Sequence, residues 1–375
     1  MPDCPHRPPC PGCPRFAEPG IDPLARETLR DLARRYEVSE PAVVAGPAFG
    51  FRHRARLAIR GRLGSPKLGL FELGTHRVVH IPSCLVQHPL INRVAGVVRR
   101  ALVEARVPSY SDQAHLGLAR YLQVVVERGS QTAQAVVVAN AGASAPLAAC
   151  LELIRKELGA SLHSLWFNAH SDRSNNVLGP AFERWCGPES VVERFGGAAV
   201  YYPPGAFGQS NLEVAQLIVD HLREQIPEGS CVAEFYAGVG AIGLSVIDRA
   251  RELRLNESSA HALQGLEQGL AALDPAQRAK IVLRPGPAGA MQEAAAGADV
   301  VIVDPPRKGL EPALARGLAE RSPERLLYVS CALDSLQEDI VRLTSRRTLR
   351  LVGLTVFDMF PYTAHVETVA RFERP

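Results

Sequence analysis

Between Cys231 and Asp358 the chain passes through six short apolar segments, CVAEFYAG, ELRLNE, AKIVLRP, DVVIVDPP, RLLYVSC and RLVGLTVFD, separated by stretches of helical length. Unbroken apolar runs of this size suit strands buried on both faces, and their alternation with helices is the pattern of a doubly wound α/β sheet. Such sheets collect ligands at the carboxyl ends of their strands. Here those ends carry Gly238 to Gly243, Glu257, Asp304 and Cys331.

The preceding half has another texture. Gly50 to His80 alternates apolar and basic residues around Gly61 and Gly64, as an antiparallel hairpin with one wet, arginine-rich face would. A second hairpin fits Arg120 to Arg128 and Thr132 to Asn140, with Gly129 and Ser130 in the turn. At 375 residues the chain has room for two or three domains of roughly 150 residues. The expected divisions are a metal-binding loop over 1–25, a smaller α+β domain over 26–197 that includes Cys84, and a catalytic domain over 198–375. The Ala/Gly-rich patch Pro285 to Gly297 reads as a strand-to-helix connection.

Composition narrows the partners. A formal net charge of +3 is mild, so an anionic partner such as RNA has to be met by a local basic patch. Arg52, Arg54, Arg56, Arg60 and Arg62 in the first hairpin are the candidates for that patch. The longest uncharged stretch, Gly129 to Leu151, is broken by Gln, Asn, Pro, Gly and Ser and reads as strand, turn and helix, not as a membrane span. Prolines and cysteines occupy the place of a signal's apolar core, which predicts a cytoplasmic protein whose eight cysteines are not disulfides. No obligate protein partner is expected.

Five motifs carry chemistry. EFYAGVGAIGL sets Gly238, Gly240 and Gly243 between a strand and a helix, where small residues let a nucleotide-like ligand approach the backbone, and Glu257 ends the next strand at the spacing of a ribose-binding carboxylate. No phosphate-binding lysine motif accompanies them, so the adenosine of S-adenosylmethionine fits better than a nucleoside triphosphate. In DVVIVDPPRKGL, Pro305 and Pro306 force a rigid turn after Asp304, and LLYVSC brings Cys331 to a strand tip. FDMFPYTAHVETVARF presents Asp358, His365 and Glu367, any of which suits a general base. At the other end C-x5-C-x2-C (Cys4, Cys10, Cys13) with the distant Cys84 offers four thiolates, the number that either a cubane iron–sulfur cluster or tetrahedral zinc requires.

Taken in order, CPHRPPCPGC with Cys84, AFGQSN, EFYAGVGAIGL, DPPRKG, YVSC and FPYTAHVETVA resemble the RNA 5-methyluridine (uracil-C5) methyltransferases, across nearly the whole chain. The resemblance implies a Rossmann-like, S-adenosylmethionine-dependent domain of the iron–sulfur type that acts on 23S rRNA, without the N-terminal TRAM domain of some members. It implies a [4Fe–4S] cluster on Cys4, Cys10, Cys13 and Cys84. Gln209, Tyr236, Glu257 and Asp304 are implied to line the cofactor pocket, Cys331 to be the nucleophile, Glu367 the base, and Phe207 to lie with Gln209 near the target uracil. The chain departs from the family pattern at Tyr236-Ala237, at Ala241, and at Ala332-Leu333-Asp334-Ser335 after the cysteine.

Chemistry agrees with this reading: uracil C5 is a poor nucleophile until a thiolate adds at C6. The alternatives are a tRNA uracil-C5 methyltransferase, an amino methyltransferase built on the Asp-Pro-Pro turn, and an RNA-binding or assembly factor with altered catalysis.

Overall fold

The computed structural model describes residues 3–18 and 20–375. It divides into two compact units: one comprises the chain up to Ala17, Pro47–Glu193 and Tyr202–Leu212, the other Glu18–Gly46, Arg194–Tyr201 and Glu213–Pro375. The domain boundaries expected from sequence therefore shift. Glu18–Gly46 falls in the second unit, with the expected catalytic domain, because Ile21, Ala25 and Leu29, around a helix capped by Asp22, bury their side chains with Val356 and Val366.

In the first unit a seven-stranded sheet runs Val78–His80, Ser65–Phe71, Arg54–Arg62, Ala119–Glu127, Thr132–Ala139, Leu162–Ala169, Ala181–Cys186. Both expected hairpins are present. The fifth and sixth strands in that order are parallel, joined through the helix Ala148–Leu158. That helix and Pro89–Glu104 cover one face of the sheet with Ile91, Val94, Val98, Leu151 and Ile154 against Leu57, Ile59, Leu122 and Val137.

The other face of Arg54–Arg62 corrects the sequence reading. Period-two alternation does put Arg54, Arg56 and Arg60 on one side, but that side is largely roofed. Arg54 is 8% exposed, donates from Nη1 to the Ala206 carbonyl at 3.0 Å and lies over the Tyr202 ring; burial lowers its pKa to about 10. Arg60 makes a two-point pair with Asp112 at 2.7 and 2.8 Å, among Phe71, Tyr110 and Tyr121. Of the arginines in this strand only Arg56 and Arg62 are exposed, and Arg56 still donates from Nε to Gln123 at 2.8 Å.

The catalytic unit's sheet runs Ala42–Ala45, Arg350–Asp358, Glu367–Glu373, Arg325–Ser330, Val300–Val303, Ser230–Phe235, Ala250–Glu257, Ile281–Pro285. All six strands foreseen between Cys231 and Asp358 are in it. Glu367–Glu373 is antiparallel to both its neighbours; the other pairings are parallel. Phe235, Val301, Val303, Leu326 and Tyr328 share a core with Leu314, Leu318, Leu336 and Ile340 of the helices Pro312–Glu320 and Leu333–Thr344. The Pro285–Gly297 patch forms two short 3-10 turns leading into the next strand, so it connects strand to strand. Among the described residues no helix is long and apolar enough to cross a membrane.

Candidate active site and cysteine cavity

The strand Ser230–Phe235 ends in a turn with three left-handed residues, Tyr236 (φ 62°), Gly238 (φ 57°) and Gly240 (φ 88°). A tyrosine in that region stores strain on the order of 1 kcal/mol. It is held there by its own hydroxyl, which accepts the Glu311 N–H at 3.1 Å. The two glycines differ in purpose. A Cβ on Gly240 would lie 2.6 Å from Leu266, so that residue serves helix packing, whereas beside Gly238 the space is open. Glu257 accepts the Gly238 N–H at 2.8 Å through one carboxylate oxygen and the Ser258 and Ser259 N–H groups at 2.7 and 2.6 Å through the other. Two N–H groups fill the second oxygen, while the first, which accepts only from Gly238, keeps acceptor capacity for a ribose hydroxyl, so this carboxylate, oriented by the glycine loop, fits the nucleoside of S-adenosylmethionine.

Sequence reading did not single out Glu234 as a site residue. It is 2% exposed, its Oε2 accepts nothing from any described residue, and burial, reinforced by the Asp304 and Glu257 charges, holds its pKa well above the usual carboxylate range. A Cβ on Gly243 would collide with that oxygen, so this third glycine exists to admit the buried acid.

Asp304 leaves its strand one residue beyond the Val303–Phe235 pairing, and burial pushes its carboxyl up to about 7. The Asp-Pro-Pro turn after it is bolted down from behind. Fully buried Asp339 accepts the Leu310 N–H and the Tyr328 hydroxyl, each at 2.8 Å, and pairs with Arg342 at 2.9 Å. Gly309 has φ 80°, and a Cβ there would sit 2.6 Å from Asp339 Oδ2. Asp339 is a second residue that sequence alone did not reveal, since an acid in the middle of an amphipathic helix looks solvated.

Cys331 follows Ser330, which pairs with Thr368 in the antiparallel register, so the thiol leaves its strand level with Glu367. Glu367 is 3% exposed and its carboxyl is held well above the normal range by burial and then by the Asp304 charge. Burial, then Glu367 and Asp304, also raises the Cys331 thiol, and Arg307 pulls both groups the other way. The structure thus gathers Asp304, Arg307, Cys331 and Glu367 at the carboxyl ends of the central strands Val300–Val303 and Arg325–Ser330. His365 is exposed and Asp358 buried.

Gln209 and Phe207 belong to the first unit, where Gln209 lies beside His53, Arg54 and Tyr202 while Phe207 is 71% exposed. In that unit too, Cys4, Cys10, Cys13 and Cys84 line a single cavity of about 130 Å³. Burial raises the Cys10 thiol and takes Cys13 up to about 12. Among the described residues no three Cys, His, Asp or Glu side chains are arranged to hold one metal ion.

Residues 294–374 match the family described as tRNA (Uracil-5-)-methyltransferase. An RNA methyltransferase of Protochlamydia amoebophila, itself described as uncharacterized, is 34% identical over 99% of this chain and 97% of its own length. The chain belongs to the RNA uracil-5-methyltransferase family. An RNA methyltransferase of Geobacter sulfurreducens is 29% identical over 99% of this chain and 76% of its own. The crystal structure of Pyrococcus abyssi tRNA (uracil-54, C5)-methyltransferase with S-adenosyl-L-homocysteine shares the fold, with a TM-score of 0.77, 24% identity, and coverage of 92% of this chain and 81% of that one. As a family member this methyltransferase is S-adenosylmethionine-dependent, and its catalytic unit is the α/β fold expected from the strand texture.

Proposed function

We propose that this methyltransferase acts on C5 of a specific uridine in RNA, through a transient bond between Cys331 and uracil C6. The observation that carries the proposal is the register that brings Cys331 level with Glu367, beside Asp304 and Arg307. Gly238 and Glu257 would help to hold S-adenosylmethionine, which would supply an electrophilic methyl on a sulfonium. The Cys331 thiolate adds to C6, the electron pair of the C5–C6 double bond moves to C5, and C5 takes the methyl while the electron pair of the broken S–CH3 bond stays with the departing thioether. The Glu367 carboxylate then removes the C5 proton, the double bond re-forms, and the C6–S bond breaks to return the thiolate. A carboxylate raised by burial is a stronger base for that proton, and the Arg307 charge works against the rise of both groups. The uracil has to leave its stack, at roughly a few kcal/mol.

The substrate proposed is 23S rRNA. The tRNA reading stands beside it, because the matched family and the Pyrococcus abyssi structure are both described as tRNA enzymes. Mass spectrometry of 23S rRNA and tRNA from a strain lacking the gene decides: loss of 5-methyluridine from rRNA alone supports the first, loss from tRNA alone the second.

Cys4, Cys10, Cys13 and Cys84 are proposed to hold a [4Fe–4S] cluster. One zinc would need all four sulfurs at about 2.3 Å from a common point. A cubane takes each cysteine on a different iron, which fits four thiols spread around one cavity. Buried thiols raised as Cys13 is stay neutral unless a cationic centre holds them as thiolates. The cluster would staple the proline-rich loop to the Cys84 segment and supply a one-electron centre. Protein purified without oxygen should contain iron and sulfide in near-equal amounts; zinc in their place would count against the cluster.

A further inference from the structure

Besides the cysteines, His6, Arg7, Arg52, Arg56 and Gln87 stand in the wall of the cysteine cavity, and of these Arg52 and Gln87 are tied by backbone pairing to the Cys84 segment. The sequence grouped Arg52 with phosphate-gripping arginines, but backbone pairing places it elsewhere. Arg52 and Gln87 form a parallel bridge, with the Arg52 N–H donating to Val86 and the His88 N–H donating to Arg52, each at 2.9 Å. Gln87 is three residues from Cys84 in sequence, so the bridge fixes both side chains beside that thiol. Gln87 is 5% exposed, and its amide oxygen has no hydrogen-bond partner among the described residues. The two ends of an amide exchange by a half-turn, so a buried amide left open on one side can offer N–H to whatever fills the cavity. The Arg52 charge faces Cys84 and Cys13, which counter the effect of its burial.

We propose that Arg52 and Gln87 are polar partners of the cysteine-held cluster, Arg52 as a fixed positive charge and Gln87 as an N–H donor to sulfur, and that they contribute to its retention and its midpoint potential. This inference rests on the cluster reading above. Four thiolates around iron and sulfide carry net negative charge, and the reduced form, one electron richer, carries more. In a partly buried cavity a neighbouring cation is poorly screened, so Arg52 favours the reduced form; N–H···S hydrogen bonds act in the same direction. Both residues act through the cluster and touch no reacting atom.

The test uses full-length protein prepared without oxygen, as wild type, Arg52→Gln, Arg52→Lys and Gln87→Leu. Iron and sulfide are measured per chain, and the midpoint comes from a dithionite titration followed by electron paramagnetic resonance. Expected are a negative shift of the midpoint in Arg52→Gln, its recovery in Arg52→Lys, and a smaller negative shift in Gln87→Leu. Loss of iron from Arg52→Gln with unchanged circular dichroism also supports the assignment. A full cluster at wild-type potential in both Arg52→Gln and Gln87→Leu overturns it. So does an unchanged potential accompanied by a salt dependence of RNA binding shallower by about one, which makes Arg52 a phosphate contact. Wild-type protein holding zinc or no metal instead defeats the cluster reading itself, an outcome told apart from the others before any variant is made.

Discussion

Ser330 pairs with Thr368 across two antiparallel strands, and this register brings Cys331 and Glu367, 36 positions apart in sequence, to the same level where the Arg325–Ser330 strand ends. If the two act as nucleophile and base, their removal has different signatures. Cys331→Ala should abolish methylation and fail to form a covalent adduct with RNA containing 5-fluorouridine. Glu367→Gln should lose about 10²–10⁴-fold in turnover while methylated RNA accumulates bound to protein, visible as a denaturant-resistant band. Normal turnover by the alanine variant would end the proposal.

The pH profile follows from the raised groups. Cys331 and Glu367 must both be deprotonated, and both titrate above their ordinary values, so single-turnover rates should rise with pH beyond neutrality. Arg307 holds both groups down, and Arg307→Gln should therefore move this limb to higher pH. A limb that stays in place would remove Arg307 from the electrostatics of the site.

Glu234 links folding to pH. Its folded pKa is raised, so its contribution to stability is greatest below the ordinary glutamate value, near 4.3, and is lost as pH rises toward the folded value. Glu234→Gln removes that loss. The variant's melting temperature should match wild type in acid and exceed it at neutral pH, as scanning calorimetry at both would show.

Gly309 and Asp339 should behave as one device. Gly309→Ala adds a Cβ 2.6 Å from the Asp339 carboxylate at φ 80°, a cost of about 1–3 kcal/mol. Asp339→Ala leaves the Tyr328 hydroxyl and the Leu310 N–H without their acceptor, a similar cost. A double-mutant cycle by urea unfolding should show the two effects to be less than additive; full additivity would separate them.

Charge reversal discriminates between arginines that sequence could not tell apart. Arg54→Glu buries an acid where Arg54 now meets the Ala206 carbonyl and Tyr202, and should unfold at lower denaturant. Arg56→Glu, on an exposed side chain, should remain folded and weaken RNA binding, with unchanged cofactor affinity. Equal folding stability of the two variants would contradict the burial of Arg54.

The strands of the catalytic sheet and the loops at their carboxyl ends were legible because their signals are local: unbroken apolar runs, glycines at fixed offsets, a double proline. Cys331, Asp304 and Glu257 could be singled out for the same reason, each being the residue at which such a run stops. Three-dimensional packing decided the rest. Whether Arg54 and Arg60 meet water depends on Ala206, Tyr202, Tyr110 and Asp112, none of them near in sequence. The antiparallel place of Glu367–Glu373, the burial of Glu234, the grip of Asp339 and the transfer of residues 26–46 to the catalytic unit likewise depend on distant partners. Periodicity in a sequence says which residues share a side; only the completed fold says what covers that side, and it is the cover that fixes solvent access, charge and reactivity.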